Sequence, residues 1–449
     1  MIKDKTFYRS LLAIAVPIAL QNIIGFGVQM LDTIMVGSLG DTALSAASLA
    51  NQPFFVFMIF SFGLASGGSV LIAQYWGRGN TDVVRRVMGI SMRCVALASV
   101  LFATLCYAFP LQIMDIFSNE PDVIEAGASY LRVVVFSYVF YGVSNCYLTA
   151  LRGVENVKLA TGVYGVSFFV NAFFNYAFIF GKFGFPELGL VGAACGTVIA
   201  RISEFLIVLL YSSFIEKKIG FKLRMLFQSE RELWSDFIRH SLPVVGSELV
   251  WSLGSVTQAA IIGNIGSIFV SANSIASVAQ QLAMVMMFGV GNAAAVLMGK
   301  TIGAGRAKEA KTMGRTFLVL ALGVGLLSCG IILLLRTPML GFYRVSDETK
   351  KLAFEIMGVM SFIMLFAPVE TTCIVGILRG AGDTRFAFAV DAGCTWLIGV
   401  PMGFLAGFVW KLPVLWVYVF LRSDVFVRIA LCLTRVLRGN YIKNVTRDI

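Results

Sequence analysis

Acidic side chains stand where they are hardest to keep. Asp32, Glu204, Glu248, Glu370, Asp391 and Asp424 all lie inside long apolar runs of the 449-residue chain. A carboxylate within a membrane-length segment is costly, so it faces a partner or a water-filled cavity and carries ions or protons. Two of these acids have a base close by on the same helix face. Glu204 is three residues from Arg201 and Asp424 four from Arg428, so each pair reads as an ion pair, Asp424–Arg428 being the second-half counterpart of Arg201–Glu204. Asp32, Glu248, Glu370 and Asp391 have no such neighbour. Asn171 and Asn175, four apart among Phe168, Phe169, Phe173 and Phe174, share one helix face and either bond to a neighbouring helix or join a polar site. Asp32 lies roughly four residues, or about 6 Å, from one end of its run. It either reaches outside water or takes part in such a site. The single histidine, His240, sits in a polar connection, and the eight cysteines lack metal-like spacing and read as packing residues.

The elements that must position these groups are membrane helices. The chain is 58% hydrophobic and 14% charged, with mean hydropathy +0.84. Apolar runs of about 20 residues recur, each long enough to cross a bilayer as a helix. Twelve spans are expected, near 11–36, 43–72, 88–110, 123–150, 159–181, 189–213, 241–262, 269–298, 316–335, 349–376, 386–409 and 413–434. Together with the two termini, the connections 73–87, 151–158, 214–240, 299–315 and 377–385 carry most of the Lys and Arg, whereas the opposite connections hold only Lys182, Arg336, Arg344, Lys350, Lys351 and Lys411. The positive-inside rule then places both termini and the basic connections in the cytoplasm. The net charge of +11 follows from those connections and gives no reason to expect a nucleic-acid partner.

The chain repeats itself. Pro17, Gly37, Gly40, Gly63, Gly77 and Gly79 return as Pro243, Gly263, Gly266, Gly289, Gly303 and Gly305, all shifted by 226, and Leu151-Arg152-Gly153 returns as Leu378-Arg379-Gly380, shifted by 227. Where the first half has Asp32 the second has Gln258. The expected fold is therefore an all-α polytopic membrane protein with two pseudo-symmetric six-helix lobes, residues 1–225 and 226–449, and a pathway between them.

With Asp-x-x-Met-x-Gly-x-x-Gly at Asp32–Gly40, Pro17 ahead of it, Ala-Gln-Tyr-Trp-Gly at 73–77 and Leu-Arg-Gly…Gly-Asp-Thr-Arg at 378–385, the chain resembles the multidrug and toxic compound extrusion (MATE) antiporters. Its end, Gly439–Thr446, looks like that of members from Gram-positive bacteria. The resemblance implies a secondary exporter of amphipathic, cationic small molecules in a bacterial plasma membrane, monomeric, with no cofactor beyond H⁺ or Na⁺ as coupling ion. It maps the amino-lobe cation site to Asp32, Asn171, Asn175 and Thr197. Many relatives carry a second acid at the place of Asn175. Glu248 and Glu370 lie a few residues from essential acids of one branch, and with Gln258 and Asp391 they form the carboxy-lobe candidates for coupling or substrate binding.

A lipid-linked oligosaccharide flippase of the same superfamily is the alternative, but its cavity would be dense in Arg and Lys. A membrane-embedded enzyme would need a nucleophile–base or metal cluster, and a channel a ring of filter groups; neither pattern is present. The topology has a direct check. A cysteine introduced at position 119 or 345 is expected to react with an impermeant maleimide in intact cells. One at position 308 is expected to react only after permeabilisation.

Overall fold

The computed structural model describes residues 2–221, 225–226, 231–343 and 345–447. These residues form helices and turns, with no strand among them. In the first half the helices are α1 (Lys5–Gly37), α2 (Asp41–Ala50), α3 (Gln52–Arg78), α4 (Thr81–Ala108), α5 (Pro110–Phe117), α6 (Pro121–Val134), α7 (Phe136–Gly153), α8 (Lys158–Phe180) and α9 (Gly189–Leu210). The second half comprises α10 (Arg231–Ile265), α11 (Ser267–Gly303), α12 (Ala307–Phe342), α13 (Asp347–Thr371), α14 (Thr384–Cys394), α15 (Val400–Phe404), α16 (Val414–Leu421) and α17 (Asp424–Arg438). The short α5 connects its neighbours. The pairs α2–α3, α6–α7, α14–α15 and α16–α17 each take the place of one expected span, and the remaining helices supply the other eight. The protein is an all-α membrane protein of twelve spans in two pseudo-symmetric six-helix lobes.

Among the described residues nine helical stretches are long and apolar enough to cross a membrane by themselves, and α6 with α7, bent by 48°, makes a tenth. The other two spans fall short for visible reasons. One is α10, which is interrupted by Glu248, Ser252, Ser255, Thr257 and Gln258. The other breaks at Arg422–Ser423 and carries Asp424 and Arg428 in its second piece. Polar groups at these positions reduce hydropathy, and the buried ones must be satisfied inside the protein.

Packing draws two compact units. One comprises Met1–Ala19, Ala73–Asn80 and Leu242–Ile449, the other Leu20–Ile72 and Thr81–Ser241. The divisions within α1 and α10 fall next to Pro17 and Pro243, where the helix lacks a backbone donor. In the first unit Gly289 of α11 lies so close to Ala15 that a Cβ would strike its carbonyl oxygen; in the second, Gly67 of α3 lies equally close to Ser241. Ala15 and Ser241 are 226 residues apart, and Gly67 stands one helical turn from Gly63, the equivalent of Gly289, so the segment before each proline packs on the corresponding helix in each unit, a turn apart.

The repeat is also written into the first unit at the ends of α3 and α11. Gly77 rests on the backbone of Lys300, and Gly303 rests on the backbone of Gln74. Gln74 and Lys300 are themselves 226 apart, so the contact is reciprocal, as at a two-fold interface. Between them Gly299 meets Ala73, its own equivalent.

The connections after α7 and before α14 share one turn. Asn156 donates its N–H to Leu151 at 2.9 Å, and Asp383 donates to Leu378 at 2.9 Å. The turn needs a left-handed residue. The second half supplies Gly382 (φ 82°), whereas the first half forces Glu155 into it (φ 61°). A side chain there costs on the order of 1 kcal/mol. Glu155→Gly is expected to raise the thermal unfolding midpoint in detergent and Gly382→Ala to lower it. Differential scanning fluorimetry of the two variants beside the parent checks both signs.

Candidate functional site

The second unit brings together the residues expected of the amino-lobe site. Asn175 Nδ2 donates to Asp32 Oδ1 at 2.6 Å and, more weakly, to Asn171 Oδ1 at 3.3 Å. Asn171 also lies against the Asp32 carboxyl, and Arg201 is near enough for its charge to be felt there. Asp32 is half-buried, while both asparagines are buried. The Asp32 carboxylate is turned onto the α8 amides. A hydrogen bond to a charged group contributes about 1.5–3 kcal/mol net, enough to hold this rotamer against release into water.

Glycine spacing on α9 sets this geometry. Gly192 and Gly196, four apart, let α9 approach α8 until a Cβ at Gly192 would strike the backbone of Phe178 and one at Gly196 would strike Asn175 Oδ1. The amide is therefore pressed between the α9 backbone and Asp32. Its Oδ1 is buried with no hydrogen-bond partner among the described residues. Thr197, next in sequence, returns its hydroxyl to Ala193 O at 3.0 Å. It also meets the buried Tyr130 hydroxyl, which lies 3.5 Å from Asn51 Nδ2. Tyr130 is close enough to Asp32 to interact with its charge. Tyr130 and Asn51 were not among the expected site residues. Nothing in their local pattern marks them, since each is one polar group on an apolar face.

Deeper in the same unit, Arg201 binds Glu204 at 2.6 Å and lies 4.9 Å from the Tyr141 ring centroid. The expected pair is present. In the first unit the expected Asp424–Arg428 pair is present too, at 2.6 Å, but as one edge of a larger network. Arg428 also binds Glu370 and donates to Thr395 at 2.9 Å. Arg428 stands 227 residues after Arg201, so the arginines correspond while their carboxylate partners do not.

Arg379 requires a correction. The basic connection 377–385 was expected to hold it as a loop residue, yet it is 5% exposed. A π-helical stretch, Thr372–Arg379, continues α13 and carries it into the protein, where it binds Glu248 at 2.6 Å and reaches Asp391 at 3.6 Å. Asp391 stands between the two arginines, with Arg428 Nε 3.8 Å away on its other side. A π-bulge shifts the side-chain register, which the apolar periodicity does not reveal. The repeat gave no signal either, because its equivalent Arg152 stands in the basic connection 151–158; the structure makes that residue half-buried.

Glu248, Glu370 and Asp391 thus meet in one cluster with Asp424, four carboxyl groups on two guanidinium groups. With every group charged, the four carboxylates exceed the two guanidinium groups by two. Gln258 takes no part in the ion pairs. It donates to Leu421 O at 3.3 Å. In the second unit the equivalent of Asp391, at a shift of 227, is Tyr164, which likewise lies in range of both Arg152 and Arg201.

The profile of the MatE family matches twice, over residues 17–177 and 243–405. The matches begin at Pro17 and Pro243, the two prolines of the repeat, and together cover well over half of the chain. The chain belongs to the MatE family. Curated MATE relatives span nearly its whole length. The probable multidrug resistance protein NorM of Thermotoga maritima is 28% identical over 443 residues, covering 97% of this chain and 93% of that one. The probable multidrug resistance protein YoeA of Bacillus subtilis is 25% identical over 416 residues, covering 92% and 89%. Among solved structures, an outward-facing multidrug resistance MATE transporter matches with TM-score 0.87 at 18% identity, covering 97% of this chain and 96% of that one. The eukaryotic MATE transporter AtDTX14 matches with TM-score 0.85 at 19% identity, covering 98% and 97%. The shared fold is the twelve-helix, two-lobe MATE architecture.

The network makes a stability prediction. Arg428→Met leaves Glu370 and Asp424 buried without their base, a loss of about 3–5 kcal/mol for a broken buried pair. Membrane yield and thermal midpoint are expected to fall, and adding Glu370→Gln and Asp424→Asn is expected to recover part of the loss. Size-exclusion profiles and melting curves of the single and triple variants provide the check.

Proposed function

We propose that this MATE protein is a cation-coupled antiporter that exports amphipathic, cationic small molecules by alternating access, with Asp32 as its coupling group. The observation that carries the reading is the Asp32 carboxyl, half-buried and held by Asn175, whose own Oδ1 is a buried acceptor with no partner among the described residues. A carboxylate with neutral oxygens around it can take up a proton or a hard cation such as Na⁺. With one formal charge and amides in place of a second acid, the site favours the proton. Protonation removes the charge that draws Asn175 onto Asp32. The coupling ion therefore alters the tie between α1 and α8 within one lobe, and this change is what binding of the exported molecule competes with.

Multidrug-resistance relatives support export of small molecules over lipid-linked sugar flipping. The ion pairs point the same way: Arg201, Arg379 and Arg428 are each engaged by a carboxylate, so these three do not form the open basic cluster that a diphosphate would require. The orientation with both termini in the cytoplasm follows from the basic connections. The carboxyl cluster around Asp391 is a second place where protons can be held, through Glu248, Glu370 and Asp391.

The test uses purified protein in liposomes, with export of ethidium followed under an imposed proton gradient and, separately, a sodium gradient. Asp32→Asn is expected to abolish gradient-driven export while leaving yield and melting temperature unchanged, since a neutral amide is cheaper in the membrane than an ion. Asn175→Ala is expected to reduce the rate several-fold. Export by Asp32→Asn at the parent rate would move the coupling to the carboxyl cluster.

A further inference from the structure

Beyond α17 the described residues are not helical, yet they are docked residue by residue. Tyr441 is fully buried. The Lys443 N–H donates to Ala381 O at 2.9 Å, and Asp383, wholly buried, is bound by both Lys443 and Arg435. These contacts anchor the start of the segment to the turn that precedes α14. From there, residues 443–447 run along the end of α3. Gln74, also fully buried, treats the segment as a neighbouring strand would: its Nε2 donates to Lys443 O at 3.2 Å and its Oε1 accepts from Val445 N–H at 2.9 Å. Tyr75 Oη accepts from Arg447 N–H at 3.1 Å, while Arg78 donates to Arg447 O at 2.8 Å and to Thr446 Oγ1 at 3.4 Å.

All of this lies within one unit, but α3 does not. Up to Ile72 the helix belongs to the other unit, and only Ala73–Asn80 packs with Leu242–Ile449. If the two units move as bodies, either α3 bends after Ile72 or Ala73–Asn80 comes away from its present partners. The α11 contacts of that segment are glycine against backbone, which can slide. The hydrogen bonds to the tail are directional, and each is modest in net free energy because water replaces it. Lys443, Asn444 and Arg447 are exposed, so water has access to most of the segment.

We propose that residues Lys443–Arg447 form a releasable latch on the end of α3, which holds Gln74, Tyr75 and Arg78 in one transport state and lets them go in the other. The release step rests on the antiporter reading above; the latch itself does not.

Two experiments test it. In lipid nanodiscs, hydrogen exchange of the full chain is compared with Gln74→Leu and with a chain ending at Ile442, which keeps Tyr441. Exchange in residues 73–80 is expected to accelerate at least tenfold in both variants, with 158–180 unchanged. Unaltered exchange at 73–80 in Gln74→Leu overturns the latch, even if the truncated chain unfolds. In liposomes, Arg78→Cys with Thr446→Cys is joined by a reducible bifunctional thiol reagent, with each single variant as control. Ethidium export is expected to stop on linking and return on reduction. A linked protein exporting at the unlinked rate shows that the segment is a static anchor and overturns the release. If the unlinked protein exports no ethidium, the antiporter reading fails, while the exchange measurement still decides whether the latch exists.

Discussion

Charge that has left water must find a partner, and in this protein that requirement shapes both units. A lone ion in a low-dielectric interior costs several kcal/mol even after the surroundings relax, so every buried arginine and acid constrains the helices around it. Arg201 fixes Glu204 and lies over Tyr141. Arg428 ties α13, the π-helical turn after α14 and α17 through Glu370, Thr395 and Asp424. Asp32, with no base in direct contact among the described residues, takes an amide instead, and the glycines of α9 hold that amide in place. Where pairing is complete the helices are fixed. Where it is partial, at Asp32 and around Asp391, the carboxyl groups outnumber the bases that touch them among the described residues.

The two halves show how one scaffold accommodates different chemistry. Equivalent arginines, Arg152 with Arg379 and Arg201 with Arg428, sit at little-exposed positions in both. The group between them differs, a phenol at Tyr164 and a carboxyl at Asp391. A phenol stays neutral and can only lend a hydrogen bond, whereas a carboxyl adds a charge that must be shared or protonated. The reverse exchange holds nearer the end of the proline helices, where the first half has Asp32 and the second has Gln258, bonded to a backbone carbonyl. Each half thus has a carboxyl where the other has a phenol or an amide.

Much of the architecture was legible in the sequence because membrane helices are specified by length and apolarity, and the repeat by glycines and prolines whose roles are steric. The Arg201–Glu204 pair was legible for a similar reason, since residues three apart on a helix must meet. What escaped was whatever depends on the path of a helix rather than its existence. The π-helical stretch before Arg379 turned an apparent loop base into a buried one, and Tyr130 and Asn51 enter the Asp32 neighbourhood from segments with no polar pattern of their own. Likewise the first 19 residues pack with Leu242–Ile449, a grouping set by tertiary contacts that chain order does not express.

Ala73 and Gly299 touch each other and are copies of the same position. Such a pair can exist only on a symmetry axis, and it resists independent change. A side chain enlarged in one copy is felt at once by the other, so the smallness of both is a joint property of the pair. If the halves descend from one six-helix chain that paired with itself, a single substitution there would have appeared on both faces of the contact simultaneously. Fusion of the two copies into one gene removed that coupling, and the surviving difference is one methyl group, alanine against glycine.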